Sequence, residues 1–281
     1  MVSNIVMPES RTVHTGQHDT ASAFKAKIDF ANILFGGPCN RACPFCIGKL
    51  MPERVNQSNL NLFPPRNIEA FIAEVNRLDI RQIVFTGTTT DPQLYRHEAA
   101  LLGLLRDHVN TGAHYSVHTN GVRALEKMDV FNRYDRACIS FPSFVPETYE
   151  KMMGSRRVPD LEAIVAGAEI PVKVSCVVNE HNDGELDSFI QRCRRIGVKR
   201  LVLRRLYGET REWSLLEGVT VKSYYRDNPV YEVDGMEVTH WDFDVASSTS
   251  INLFADGTIG TSYLLARTPE LRGRNRVIER T

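Results

Sequence analysis

Between residues 28 and 206, short apolar runs alternate with stretches of helical periodicity, and few folds satisfy such an alternation. The strand-like runs are Ile28 to Phe35, Gln82 to Thr86, His114 to Thr119, Arg136 to Phe141, Val172 to Val178 and Arg200 to Leu206. Gln82 to Thr86 is nearly continuous in apolar residues, as a strand buried on both faces requires. Between them, Ile68, Phe71, Ile72, Val75 and Leu78 fall on one helical face, with Asn67 placed to cap it. Helical segments follow at Glu98 to Val109, ended by Gly112, then near Leu125 to Phe131, at Glu147 to Met153, at Asp160 to Ala168 and at Glu185 to Ile196. Strand–helix units repeating at about 30 residues pair as parallel strands with right-handed crossovers. The predicted fold class is α/β: a partial (β/α)6 barrel with parallel strands, plus a β-rich C-terminal extension. Chemistry in such barrels collects on the loops at the C-terminal ends of the strands.

The predicted division is an N-terminal arm over 1–26, a barrel over 27–208 and an extension over 209–281 that closes one side of the barrel. After Tyr207-Gly208 the alternation stops, and strand-like segments appear at Val219 to Tyr225, Val230 to Val233, Met236 to Phe243, Ser250 to Phe254 and Thr258 to Leu265. Asp234-Gly235 and Asp256-Gly257 are hairpin-turn signals. The basic segment Arg267 to Arg280 reads as a solvated tail. Formal net charge is zero, which removes the global field expected of a partner for nucleic acid or anionic membrane. No run approaches the roughly 18 apolar residues of a membrane span. The polar first twenty residues lack the order of a secretory signal, so a cytoplasmic location is expected.

The stretch Gly36-Gly37-Pro38-Cys39-Asn40-Arg41-Ala42-Cys43-Pro44-Phe45-Cys46 follows the first strand. Its C-x3-C-x2-C spacing lets three thiolates converge on one inorganic centre. A closed zinc site wants four ligands, whereas a 4Fe-4S cluster held by three cysteines leaves one iron open. Half of a zinc knuckle and incidental thiols are the plainer alternatives. Cys138, Cys176 and Cys193 are scattered in apolar contexts and form no disulfide framework.

With Phe45 just before the third cysteine, this loop resembles the cluster loop of the radical S-adenosylmethionine enzymes. The resemblance implies that Cys39, Cys43 and Cys46 ligate a 4Fe-4S cluster and that S-adenosylmethionine chelates the open iron. It implies reductive cleavage to methionine and a 5'-deoxyadenosyl radical, in an oxygen-sensitive enzyme fed by an external one-electron donor such as flavodoxin or ferredoxin. Phe45 would shape the adenine site. Family members commonly carry Gly-Gly-Glu-Pro after the second strand, where it holds the amino group of S-adenosylmethionine. This chain keeps Gly87 and Pro92 but has Thr88 and Thr89 at the intervening places. Their oxygens, or Asp91, can accept from the ammonium instead.

Further strand-end residues are similar to cosubstrate-contacting positions of the family: Asn120 in Thr119-Asn120-Gly121, Ser140, and Ser175 with Asn179. Of Arg204 and Arg205, at least one should meet an anion, because a buried unpaired arginine is costly. The resemblance puts Arg204 on the cosubstrate, while His118, Arg205, Tyr207 and Trp241 are candidates for the substrate side, with Asp242, Asp244 and Tyr263 near them. No cysteine follows Cys193, so the extension cannot hold an auxiliary cysteine-ligated cluster. The expected substrate is a small polar metabolite such as a nucleotide, sugar or natural-product intermediate. Modification of a peptide or protein is the alternative within the family. A non-catalytic zinc or iron–sulfur protein is the alternative outside it, and a nucleic-acid-modifying enzyme would need a basic groove.

Overall fold

The computed structural model describes residues 28–209, 211, 213–246 and 249–261. The predicted arm over 1–26, Tyr263 and the basic segment Arg267 to Arg280 lie outside these residues. The strands are β1 (Phe30–Phe35), β2 (Gln82–Gly87), β3 (His114–Thr119), β4 (Arg136–Ser140), β5 (Val172–Val178), β6 (Arg200–Arg205), β7 (Val221–Tyr225), β8 (Asn228–Val233), β9 (Met236–Trp241), β10 (Ser250–Leu253) and β11 (Ile259–Gly260). They form one sheet in the order β11-β10-β1-β2-β3-β4-β5-β6-β9-β8-β7. Every neighbouring pair from β1 to β6 is parallel, the barrel-type sheet that the alternation predicts. The C-terminal segment supplies strands at both flanks. There β9 pairs parallel with β6 and continues into an antiparallel meander with β8 and β7, while β10 pairs parallel with β1.

The helices are α1 (Ile68–Arg77), α2 (Glu98–His108), α3 (Met128–Phe131), α4 (Pro146–Met153), α5 (Leu161–Gly167) and α6 (Leu186–Arg195). Their apolar stripes cover one face of the sheet. Ile33, Phe35, Ile83, Phe85, Val117, Ile139, Val174, Cys176, Leu201 and Leu203 on the strands are all buried in one cluster with Phe71, Val75, Leu101, Leu105, Tyr149, Ile164 and Phe189. Each such side chain contributes about 1.5–3 kcal/mol. Successive strand residues point to opposite faces, so the alternate positions face the concave side. They include Asn32, Ser116, His118, Arg136, Lys173, Ser175 and Arg204, interspersed with Leu34, Val84, Cys138, Val177 and Val202, a set far more polar than the branched aliphatic filling of a (β/α)8 barrel. Among the described residues no helix is long and apolar enough to cross a membrane.

Local signals in the sequence settle most boundaries. Asp160 caps α5 by accepting from the Ala163 N–H at 3.0 Å, and Gly154 ends α4 at φ 69°. Asp234 and Gly235, at φ 48° and 81°, make the β8–β9 turn. Asn67 behaves differently from a capping residue. Its φ of 58° turns the side chain away from the first turn of α1, and its amide donates to the Gly257 carbonyl at 2.8 Å, tying α1 to the β10–β11 turn.

Glu98 opens α2 with its side chain only 1% exposed, paired with Lys127 and accepting from the Tyr134 hydroxyl at 2.9 Å. Burial pushes its carboxyl above the ordinary value and Lys127 opposes that rise. Lys127→Met therefore raises it further. A raised carboxyl stabilises the fold only while protonated, and that contribution is lost as pH climbs through the raised value. The expected deficit is about 3 kcal/mol at pH 8, shrinking towards pH 5, as thermal melts at the two pH values would read. An equal deficit at both would show that Glu98 does not titrate between the two pH values and would overturn that pH dependence.

Candidate active site

The cysteine loop leaves β1 at Phe35 and crosses the C-terminal end of β2, where three consecutive threonines hold it. The hydroxyls of Thr88, Thr89 and Thr90 donate to the carbonyls of Phe35, Gly37 and Pro38 at 3.2, 3.1 and 2.5 Å. The Thr88 N–H also donates to the Phe35 carbonyl at 2.8 Å. Contact this close needs glycine: a Cβ on Gly87 would stand 1.7 Å from the Thr90 carbonyl oxygen, and one on Gly48 1.9 Å from that of Thr88. Thr88 and Thr89 thus spend their hydroxyl hydrogens on the loop, leaving only oxygen lone pairs to face a cosubstrate ammonium. On the other side, the Ala42 N–H donates to Met153 at the end of α4 at 3.1 Å. The Arg41 guanidinium donates to Tyr149 at 3.3 Å and to the Arg157 carbonyl at 2.8 Å.

Cys39 is exposed, while Cys43 and Cys46 are half-buried. Burial, and after it the neighbouring Cys46 and Cys39, push the Cys43 thiol up to about 11. Cys39, although its side chain reaches solvent, is raised by partial desolvation against the loop, with Asp91 and Cys46 adding to the rise. The three thiols lie on one short loop and offer an all-sulfur donor set of the kind soft metals and iron–sulfur clusters select. Among the described residues no three His, Cys, Asp or Glu side chains close around a single ion.

Asp91 was a candidate acceptor for the cosubstrate, but it is 4% exposed and fully engaged within the protein. It accepts from the Gln93 N–H at 2.9 Å, the Thr119 hydroxyl at 2.9 Å and the Asn120 N–H at 2.6 Å. Burial raises its carboxyl and these donors partly offset the rise. Asp91 thereby pins the end of β3 against the β2 loop and aims Asn120. The Asn120 amide donates to Asn40 Oδ1 at 2.7 Å and lies 3.9 Å from Cys39 Sγ. Sequence reasoning missed this linkage; an Asp directly before Pro92 at a helical turn was its one legible sign.

Ser140 at the end of β4 is exposed and pairs in register with Ser175, which is buried. The Asn179 side chain accepts from the His181 N–H at 2.9 Å, and its backbone N–H donates to Asn182. Asn182, also missed, is 1% exposed and donates to the carbonyls of Val177 and Pro142 at 2.8 and 3.1 Å, closing the β5 end. Phe45 is half-buried against the core. Parity separates the two arginines. Arg205 reaches Asp242 at 3.0 Å and Asp244 at 2.7 Å. Arg204 lies 5.7 Å from the ring centres of both Trp241 and Phe243, its Nε buried without a partner. Tyr207 meets Phe243 edge-on at 5.9 Å. His118 is held well below the usual imidazole range by burial, then by the charges of Lys173, Arg204 and Arg136, so its ring is neutral at pH 7.

The sequence pattern of the Radical SAM superfamily matches residues 33–203, which run from β1 to β6. A comparison with curated proteins finds no match. Among solved structures, Streptococcus suis SuiB bound to the precursor peptide SuiA superposes with a TM-score of 0.51 at 12% identity, over 64% of this chain and 40% of that chain. SuiB bound to S-adenosylmethionine gives 0.51 at 13% identity, over 67% and 43%. The chain spans less than half the length of these structures, and at such identity the likeness is one of fold. The superfamily pattern covers more than half of the chain, and on that match the protein belongs to the radical S-adenosylmethionine superfamily.

Proposed function

We propose that this chain is a radical S-adenosylmethionine enzyme acting on a small polar metabolite, with Cys39, Cys43 and Cys46 as ligands of a 4Fe-4S cluster. The observation that carries this reading is the C-x3-C-x2-C loop anchored by Thr88, Thr89 and Thr90 at the C-terminal end of β1, beside a sheet whose concave face is largely polar. When bound, such a cluster supplies the electron that cleaves S-adenosylmethionine to methionine and a 5'-deoxyadenosyl radical. The rest of the work falls to this chain's own residues. Thr88, Thr89 and Thr90 keep the loop backbone from shifting as the thiols lose their protons. Asn120 presents one amide to Asn40 and the cysteine loop, fixing that edge of the site. Ser140, Ser175 and Asn179 line the strand ends where the ribose and methionyl groups would lie, and Phe45 borders the adenine. Holding a target C–H bond near the radical carbon is mainly a matter of positioning. An external one-electron donor such as flavodoxin or ferredoxin supplies the reductant.

A peptide substrate is the second reading, favoured by one feature. β7 is exposed along its whole length, with Tyr224 71% exposed, and offers an unpaired strand edge to an extended chain.

Anaerobically reconstituted protein should hold about four irons with matching sulfide and form 5'-deoxyadenosine from S-adenosylmethionine on reduction, and Cys43→Ala should lose both. Zinc in place of iron, or a cluster without cleavage, would overturn the reading. Asn120→Ala should keep its iron but form 5'-deoxyadenosine about tenfold more slowly. Iron lost along with the rate would instead make Asn120 a brace of the loop. Incubation with candidate metabolites and peptides in deuterium-labelled form, read as label in 5'-deoxyadenosine, separates the two substrate classes.

A further inference from the structure

On the concave face, Lys173 and Arg204 are cations with no carboxylate partner among the described residues. His118 pairs in register with Cys138, and Cys138 with Lys173, so one hydrogen-bonded row crosses β3, β4 and β5. Arg136 in the neighbouring row donates to Gln82 at 2.5 Å, and Arg200 is bound to Glu237 at 2.8 Å. Lys173 and Arg204 have no carboxylate partner of this kind. The Cys138 sulfur raises the Lys173 ammonium, but burial and the charges of Arg204, Arg200 and Arg136 outweigh it and hold Lys173 below its ordinary value. Desolvating cations without an anion costs several kcal/mol each. The charges of both bear on His118, and a protein that sets two such cations around one imidazole has an internal place for negative charge. Arg204 is also poised for that role. Stacked beside Trp241 and Phe243, its planar fork is held in one orientation, which favours two-pronged contact with a carboxylate or phosphate.

We propose that Lys173 on β5, with His118 on β3 and Arg204 on β6, receives an oxyanion carried by the substrate, a carboxylate or a phosphate. The inference rests on the enzymatic reading above and narrows its substrate class. Lys173 and Val177 share the concave side of β5; on the adjoining β6 strand Arg200 lies opposite Lys173 and Arg204 lies further along, opposite Val177. The row from Lys173 climbs to His118, two residues before Asn120 at the cysteine loop. An anion anchored on β5 therefore points the rest of the molecule towards the thiols.

The test uses reconstituted protein with saturating S-adenosylmethionine, titrated calorimetrically with inorganic phosphate in one arm and glutarate in the other. One of the two should bind, and which one identifies the oxyanion. Lys173→Met and Arg204→Gln should each weaken that binding at least tenfold, Lys173→Arg should retain it, and Lys222→Met on the β7–β8 hairpin should leave it unchanged. Circular dichroism reports folding, and should Lys173→Met fail to fold, Arg204→Gln decides. Binding of neither anion, binding indifferent to both substitutions, or competition between the anion and S-adenosylmethionine would overturn the site. Formation of 5'-deoxyadenosine in the same samples separates the two readings. Cleavage without anion binding overturns the oxyanion site alone, and anion binding without cleavage overturns the radical-enzyme reading alone.

Discussion

Three hydroxyl-to-carbonyl hydrogen bonds hold the rest of the site in place. Thr88, Thr89 and Thr90 stitch the β2 loop to the backbone that carries the cysteines. Each is worth only about 1 kcal/mol net, but together they decide where eleven residues of irregular chain lie. A loop without regular structure has no ladder of its own to satisfy its carbonyls, and here the neighbouring strand end supplies the donors. Asp91 extends the same device one strand further, collecting donors from Thr119 and Asn120 so that β2, β3 and the cysteine loop move as a unit. Alanine at Gly87 would bring a Cβ into the Thr90 carbonyl and separate the parts.

The sheet beneath is asymmetric for a physical reason. Its convex side buries Ile, Val, Leu and Phe against six helices and supplies the stability. The concave side is then free to hold charged and hydroxyl groups that would be intolerable in a close-packed core. On the other face, Arg205 shows how a charged group is accommodated when the protein itself provides the anion, through Asp242 and Asp244. Arg204, one residue earlier and on the opposite face, shows the contrasting case.

Much of this was legible in the sequence. Period-2 and period-3.6 patterns placed the six parallel strands, and helix ends were near the predicted ones because capping and turn residues act locally. The cysteine loop was legible because its chemistry is written in consecutive residues. What escaped were choices of partner made across strands. Nothing local distinguishes Arg204 from Arg205, since parity depends on where the strand begins. Asp91 reads equally well as a ligand and as a brace, and only its burial beside Thr119 decides. Asn67 has the composition of a cap, but the carbonyl of Gly257, 190 residues away, claims its amide. The placement of β9 and β10 on opposite flanks follows from long-range pairing that composition does not encode.

The pairing of β10 with β1 also orders events in time. Asn32 donates to Asn252 at 2.7 Å within that pair, and the Asp29 N–H donates to the Thr249 carbonyl at 3.0 Å just outside it. β1 is the first of the described strands to leave the ribosome, yet one side of it stays unpaired until residues 250–253 have been made. The strand that launches the cysteine loop is therefore among the last to be completed. Assembly of the centre waits on the synthesis of residues 250–253, and a nascent chain that lacks β10 presents the thiols on an open sheet margin.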